Sequence, residues 1–116
     1  VVIHANHPNE ITRELGAALA ALRGAGATLL NQAVLLKDIN DSADTLVRLS
    51  ESLFSAGVLP YYLHLLDPVA GAAHFDVDES RAKALLAQLS ASLPGYLVPK
   101  LVREVPGAPN KVTVTA

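Results

Sequence analysis

A single lysine near the end of the chain is placed in a way that suits covalent chemistry. Residues 106–111 have the sequence PGAPNK, so Lys111 ends a segment rich in glycine and proline and directly precedes the apolar residues 112–114. Proline disfavours helix, so this segment predicts a loop followed by a strand. A lysine amine attacks a carbonyl only when it is neutral and held in place. The pattern therefore suggests that Lys111 reacts with an aldehyde cofactor.

Further polar side chains lie within or just after the apolar runs of the sequence. They are His4, Asn6, His7, Asn9, Glu10, Asn31, Gln32, His64, Asp67, His74 and Glu104. Burial of such groups costs free energy unless they are hydrogen-bonded, so their recurrence calls for an explanation. One explanation is structural: satisfied histidines, amides bonded to backbone, solvated carboxylates and a solvated lysine. The other is a binding site, which we expect at the carboxyl ends of the strands if the sheet is parallel.

Apolar runs alternate with amphipathic segments along the chain, which predicts an α/β fold. We predict strands over residues 1–5, 27–35, 58–66 and 97–105, with a further extended piece over 112–115. Helices are predicted over 12–23 and 78–93, and a third between a cap at Asp41 or Ser42 and a stop at Gly57, with Phe54 on its apolar face. Successive βα units imply parallel strands with right-handed crossovers, in a small open sheet or an arc of a larger barrel.

Composition excludes several classes of function. The 116 residues carry a net charge of −2 and no Cys, which argues against nucleic-acid binding and excludes cysteine-ligated zinc or iron–sulfur sites within this sequence. The histidine spacing matches no compact metal motif, so no metal ligands are predicted. Hydrophobic residues make up 51%, yet no apolar run approaches the roughly 18–20 residues of a membrane span. We expect a cytoplasmic protein that binds no membrane.

The polar segments together resemble the lysine 2,3-aminomutase family. Residues 4–12 (HANHPNEIT) resemble its HxNHPNEIT segment, and 29–36 (LLNQAVLL) with 39–41 (IND) resemble LLNQSVLLxGVND. Residues 60–67 (PYYLHLLD) and 71–75 (GAAHF) match PYYLHxxDxxxGxxHF. Residues 95–99 (GYLVP) and the loop ending at Lys111 match the cofactor-lysine region. The resemblance is strongest to the bacterial branch that supplies β-lysine for elongation factor P. Residues 103–111 (REVPGAPNK) depart from the catabolic enzymes, which carry Asp at the position of Glu104 and a polyglycine loop.

The resemblance implies roles for six residues. Such enzymes use S-adenosylmethionine, a 4Fe–4S cluster and pyridoxal phosphate to convert L-α-lysine to β-lysine by radical migration of the amino group. Lys111 would bind pyridoxal phosphate covalently, and Tyr62 would form a wall of its pocket. His4 and Gln32 would contact S-adenosylmethionine. Asp67 and Glu104 would hold the ε-ammonium of substrate lysine, since a buried ammonium needs compensating charge.

The resemblance also implies that residues 1–116 are one C-terminal fragment of a radical S-adenosylmethionine partial barrel of the TIM type. The cluster cysteines and the arginines for the phosphate and the substrate carboxylate lie upstream in the family, so we expect the fragment alone to be inactive. Its unpaired strand edges favour self-association. Two other interpretations stay open at this point: a non-catalytic α/β binding module, and a pyridoxal-phosphate enzyme without radical chemistry.

Overall fold

A computed structural model of the chain describes residues 1–66, 77–103 and 112–114. These residues form five strands, three α-helices and two short 3₁₀ turns. The strands are β1 (Val2–Ile3), β2 (Leu30–Leu35), β3 (Leu59–Leu65), β4 (Lys100–Arg103) and β5 (Val112–Thr113), and the helices are α1 (Arg13–Gly24), α2 (Ala43–Ser55) and α3 (Glu79–Ser92). The 3₁₀ turns cover Pro8–Glu10 and Gly95–Leu97.

The strands form one sheet in the order β1-β2-β3-β4-β5. The pairs β1–β2, β2–β3 and β3–β4 are parallel, whereas β4 and β5 pair antiparallel. The predicted α/β fold of successive βα units with parallel strands is therefore confirmed. The antiparallel β5 adds a hairpin-like edge to the four parallel strands.

The helices begin and end where local chemistry dictates. The Thr12 hydroxyl accepts from the Leu15 N–H at 3.1 Å and caps α1, and the Ser42 hydroxyl accepts from the Thr45 N–H at 3.2 Å and caps α2. Gly57 follows α2 with a φ of +80°, a conformation that side chains with a Cβ rarely adopt. Of the two caps predicted for α2, Ser42 is the one observed.

An apolar core lies between one sheet face and the helices. Alternate strand residues such as Ala33, Leu35, Leu63 and Leu101 are buried, together with leucines from each of the three described helices. The alternation follows from the period of two of a strand, which sends neighbouring side chains to opposite faces. Since these four positions share one face and cluster with the helix leucines, the helices lie on that side of the sheet. Val102, which pairs with His64, is buried on the opposite face.

Several predicted boundaries and burials were wrong. The strand predicted over 27–35 begins at Leu30, and the strand predicted over 97–105 begins at Lys100 because Leu97 belongs to a 3₁₀ turn. Phe54 is 47% exposed and contacts the exposed ring of Tyr96, with 5.5 Å between centroids, so it does not join the core. The run predicted as a buried strand over 1–5 is an edge strand, in which Val2 stays exposed.

Candidate functional site

The six predicted site residues divide into two groups. His4, Gln32 and Tyr62 lie within the described residues. Asp67, Glu104 and Lys111 lie outside them, in the ranges 67–76 and 104–111, as does His74. The structure therefore gives the placement of the first three, and the proposed roles of all six stay predictions.

The three described site residues occupy one face of the sheet. In the parallel register Gln32 pairs with Tyr62, and Val34 pairs with His64. His4 lies just past the end of β1, between Ile3, which pairs with Asn31, and Ala5, which bonds to the Asn31 side chain on the core side. Continued alternation therefore places His4 on the same face as Gln32. We call this surface, formed by His4, Gln32, Val34, Tyr62 and His64, the open face. It is opposite to the helices, and no described helix covers it.

Gln32 and His64 form a direct contact on the open face. The Gln32 Oε1 atom lies 3.2 Å from His64 Nε2, so the imidazole tautomer with a proton on Nε2 donates to the amide. The His64 ring also meets the Tyr62 ring edge-on, with 5.9 Å between centroids and an interplanar angle of 73°. The amide, the imidazole and the phenol are thus organised as one cluster. His64 is therefore a further candidate for the site. It lies two residues after Tyr62 in β3, so the period of two of a strand could have indicated it, although the sequence prediction assigned it no role.

A β-bulge lies beside this cluster. Asn31 pairs with Pro60 while the next residue, Gln32, pairs with Tyr62, so Tyr61 is the extra residue in β3. Bulges are common next to binding sites because they redirect side chains, and proline, which has no N–H for the ladder, is tolerated there.

The Tyr61 and Tyr62 ring centroids are 4.2 Å apart. A hydrogen bond with Tyr61, followed by desolvation and charge repulsion, raises the pKa of Tyr62 above its ordinary value. Tyr62 is therefore a neutral phenol at physiological pH.

Three asparagines join the end of β1 to the end of β2. Asn31 is 2% exposed and makes two bonds with Ala5, accepting from its N–H at 2.9 Å and donating to its carbonyl at 3.1 Å. The Asn6 side chain accepts from the Val34 N–H at 2.9 Å. Asn40 is 1% exposed; it accepts from Leu36 N–H at 2.8 Å and donates to the carbonyls of Asn6 at 2.7 Å and Val34 at 2.8 Å. We call Asn6, Asn31 and Asn40 the asparagine clasp.

The clasp settles one of the alternatives raised by the sequence. Asn31 bonds to neighbouring backbone, as the structural explanation required. Asn40 received no individual role from the sequence, where it was one letter of a longer motif. The clasp joins the backbone directly after His4 to β2 on either side of Gln32, and thereby holds the segments that carry these two side chains together.

The loop after His4 is held by a reciprocal cap. His7 Nδ1 accepts from the Asn9 N–H at 3.1 Å, and the Glu10 carboxylate accepts from the N–H groups of Asn6 at 2.5 Å and His7 at 2.7 Å. These contacts satisfy the backbone at the start of the Pro8–Glu10 turn. Within the described residues His7 and Glu10 are therefore part of a loop anchor.

The open face offers hydrogen-bonding groups and an aromatic surface. This combination suits a polar ligand with a planar ring, such as a nucleoside or a pyridine. Within residues 1–66, 77–103 and 112–114, no group of three or more His, Cys, Asp or Glu side chains is arranged to hold a metal ion. In the same ranges no helix is long and apolar enough to cross a membrane.

Comparison with known proteins identifies the relatives of the chain. It is 54% identical over 111 residues to the L-lysine 2,3-aminomutase of Escherichia coli K12, which covers 96% of this chain and 32% of that protein. The corresponding protein of Haemophilus influenzae is 51% identical over 96% of the chain and 33% of its own length. The L-lysine 2,3-aminomutase of Clostridium subterminale is 38% identical over 96% of this chain and 27% of its own length. No protein-family model matches the chain.

These alignments extend over 96% of the chain. The chain itself spans about a third of the length of the first two relatives. By sequence the chain therefore belongs to the L-lysine 2,3-aminomutase family and corresponds to about a third of these proteins.

Proposed function

We propose that this chain is the C-terminal part of a barrel-type enzyme that converts L-α-lysine to β-lysine by radical migration of the amino group from C2 to C3. The observation that carries the proposal is the shared face of His4, Gln32 and Tyr62. The family resemblance assigns these residues, which come from three separate segments of the sequence, to cofactors. All three occupy one surface that no described helix covers. In a closed barrel this surface would face the interior.

The described residues fit the proposed organic cofactors. S-adenosylmethionine presents a nucleoside with hydrogen-bonding edges, and the Gln32 amide and the His4 imidazole are hydrogen-bonding partners for such edges. Pyridoxal phosphate presents a planar ring, for which the Tyr62 phenol is a suitable wall. The sequence contains no Cys, so the ligands of a 4Fe–4S cluster would come from elsewhere in the longer protein. When bound, these cofactors supply the radical and carry the migrating nitrogen.

The contribution of this chain is to bind, orient and shield. Lys111 would hold pyridoxal phosphate through its amine. Asp67 and Glu104 would pair with the ε-ammonium of lysine, which fixes the distance between that end of the substrate and its reacting carbons. Gln32, held by His64 at 3.2 Å, presents its amide in one orientation. The neutral Tyr62 adds a wall that keeps water from the reacting atoms.

The resemblance to one bacterial branch further suggests what happens to the product. We propose that β-lysine made by the longer protein serves in the modification of elongation factor P. The support is the sequence of residues 103–111, in which Glu104 and the PGAP loop replace the Asp and the polyglycine loop of the catabolic enzymes.

The decisive experiment uses a full-length protein that contains this chain. It is reconstituted with iron, sulfide and pyridoxal phosphate under anaerobic conditions and incubated with L-lysine, and the products are analysed by mass spectrometry. We expect β-lysine to form, and to form only when S-adenosylmethionine and a reductant are present. Residues 1–116 alone serve as the control and should yield none. Turnover of lysine without S-adenosylmethionine would contradict the radical mechanism, and absence of any lysine or cofactor binding would favour a non-catalytic module.

A further inference from the structure

The base of the last hairpin lies next to two proposed site residues. The antiparallel pairing of β4 with β5 includes the pair Arg103 and Val112. In the sequence Glu104 directly follows Arg103, and Lys111 directly precedes Val112. The proposed substrate carboxylate and the proposed cofactor lysine are thus each one residue away from the same ladder pair. Any rotation or shift of this pair would displace the starting points of both.

Arg103 is tied to a different element by its side chain. Its guanidinium forms an ion pair with the carboxylate of Glu79, the first residue of α3. Lys83, one turn further along α3, lies 3.4 Å from the same carboxylate. The Arg103 and Glu79 side chains are 43% and 39% exposed, so the pair is half-buried. It connects the end of the sheet to the start of the helix that packs beneath it.

We propose that Arg103, held by Glu79, is a positioning residue for the lysine reaction. The ion pair fixes the Arg103–Val112 ladder pair against α3, and thereby fixes where the chain enters and leaves residues 104–111. This inference rests on the proposed function, since it assigns Arg103 a task only if Glu104 and Lys111 act on substrate and cofactor.

The expected effects on stability and on reaction rate distinguish a positioning role of Arg103 from a purely stabilising one. An ion pair this exposed contributes little to stability, because water screens it and ordering two long side chains costs entropy. A displacement of about 1 Å at a reacting group can cost about 100-fold in rate. The loss of Arg103 should therefore reduce turnover far more than it reduces the melting temperature.

The test compares Arg103→Met with a matched control in the full-length protein. Arg48→Met removes the same charge from another ion pair, between Arg48 Nε and Asp44 at 3.2 Å on α2, away from the hairpin. One measurement is kcat and KM for lysine. The other is amide hydrogen exchange at Val114, whose N–H donates to the Leu101 carbonyl at 2.7 Å beside the Arg103 pair. Exchange does not depend on activity.

We expect Arg103→Met to lower kcat by about 10-fold or more, with faster exchange at Val114, while Arg48→Met changes neither. Arg103→Lys, which keeps the charge, should retain most of the turnover. The double variant Arg103→Met with Glu79→Gln should lose no more turnover than Arg103→Met alone, because the Arg103–Glu79 ion pair is already broken in the single variant and the Lys83–Glu79 contact lies within α3.

Three results would overturn the inference. The first is equal turnover in Arg103→Met and Arg48→Met, and the second is unchanged amide exchange at Val114. The third is a double variant whose loss of turnover equals the product of the losses in the two single variants. Faster exchange with full turnover would show a structural contact only, and would also refute positioning. If the unmodified protein does not act on lysine, the proposed function fails instead, and exchange at Val114 still decides whether Arg103 braces the hairpin.

Discussion

Replacement of Asn40 by alanine should loosen the carboxyl ends of β1 and β2 together. The Asn40 side chain makes three hydrogen bonds, all to backbone groups: the N–H of Leu36 and the carbonyls of Asn6 and Val34. It is 1% exposed, so water cannot readily replace the lost partners. The change therefore leaves one donor and two acceptors without their partner at the carboxyl ends of β1 and β2.

The size of the effect follows from the number of bonds. A typical intramolecular hydrogen bond contributes about 1 kcal/mol net, and a buried group left unsatisfied costs about 1–3 kcal/mol. For the three bonds of Asn40 we expect a loss of about 3 kcal/mol in the free energy of unfolding. Since about 1.4 kcal/mol is a factor of ten, the equilibrium for opening this region should rise about 100-fold. Asn40→Asp should cost more, because a carboxylate would face two carbonyl oxygens.

Two measurements check the expected loss. Urea denaturation gives the change in unfolding free energy, and amide hydrogen exchange at Leu36 gives the change in local opening. Asn9→Ala is the matched control, because Asn9 is exposed and does not belong to the clasp. If Asn40→Ala costs no more than about 0.5 kcal/mol beyond the control, the range of ordinary surface substitutions, the buried clasp does not stabilise this edge of the sheet.

Three further outcomes are expected. In the full-length protein Lys111→Ala should abolish the absorbance of bound pyridoxal phosphate while circular dichroism stays unchanged; retained absorbance would refute the assignment. Asp67→Ala should weaken lysine binding at least about 10-fold, since a buried ammonium would lose its counter-charge, with a much smaller effect on cofactor binding; equal losses would count against its role. Tyr61→Phe should lower the pKa of Tyr62 towards 10.0, measured by ultraviolet titration. Because folding raises this pKa, the associated stability is present below about pH 10 and is lost as pH rises through the raised value; an unchanged titration would show that Tyr61 is not the main cause.

The fold class could be predicted because local signals agreed. Apolar runs alternated with helical spacing, Thr12 and Ser42 supplied caps, and Gly57 supplied a stop. The length of the intervening segments then favoured parallel strands. These features depend on neighbours in sequence, so the sequence alone contains them.

The errors arose where tertiary contacts determine the burial or the strand pairing of a residue. Phe54 has the spacing of a core residue, yet the core ends before it and the ring contacts Tyr96 instead. The extra residue at Tyr61 depends on the partner strand and leaves no signal in the sequence of β3. The sequence placed Gln32 late in its strand, yet it is the third of six residues of β2, and the face that it shares with Tyr62 became known only from the register between strands.

The extra residue in β3 affects whether side chains on the two faces of the sheet can be replaced independently of each other. With Tyr61 outside the ladder, Pro60 still pairs with Asn31 and Tyr62 with Gln32, so each remaining side chain of β3 keeps the face that a regular strand would give it. A shortened sequence lacking Tyr61 would leave the apolar interior intact and remove one aromatic ring from the other surface. The two surfaces can thus vary separately, and a one-residue change in length could alter ligand preference without a new arrangement of the interior.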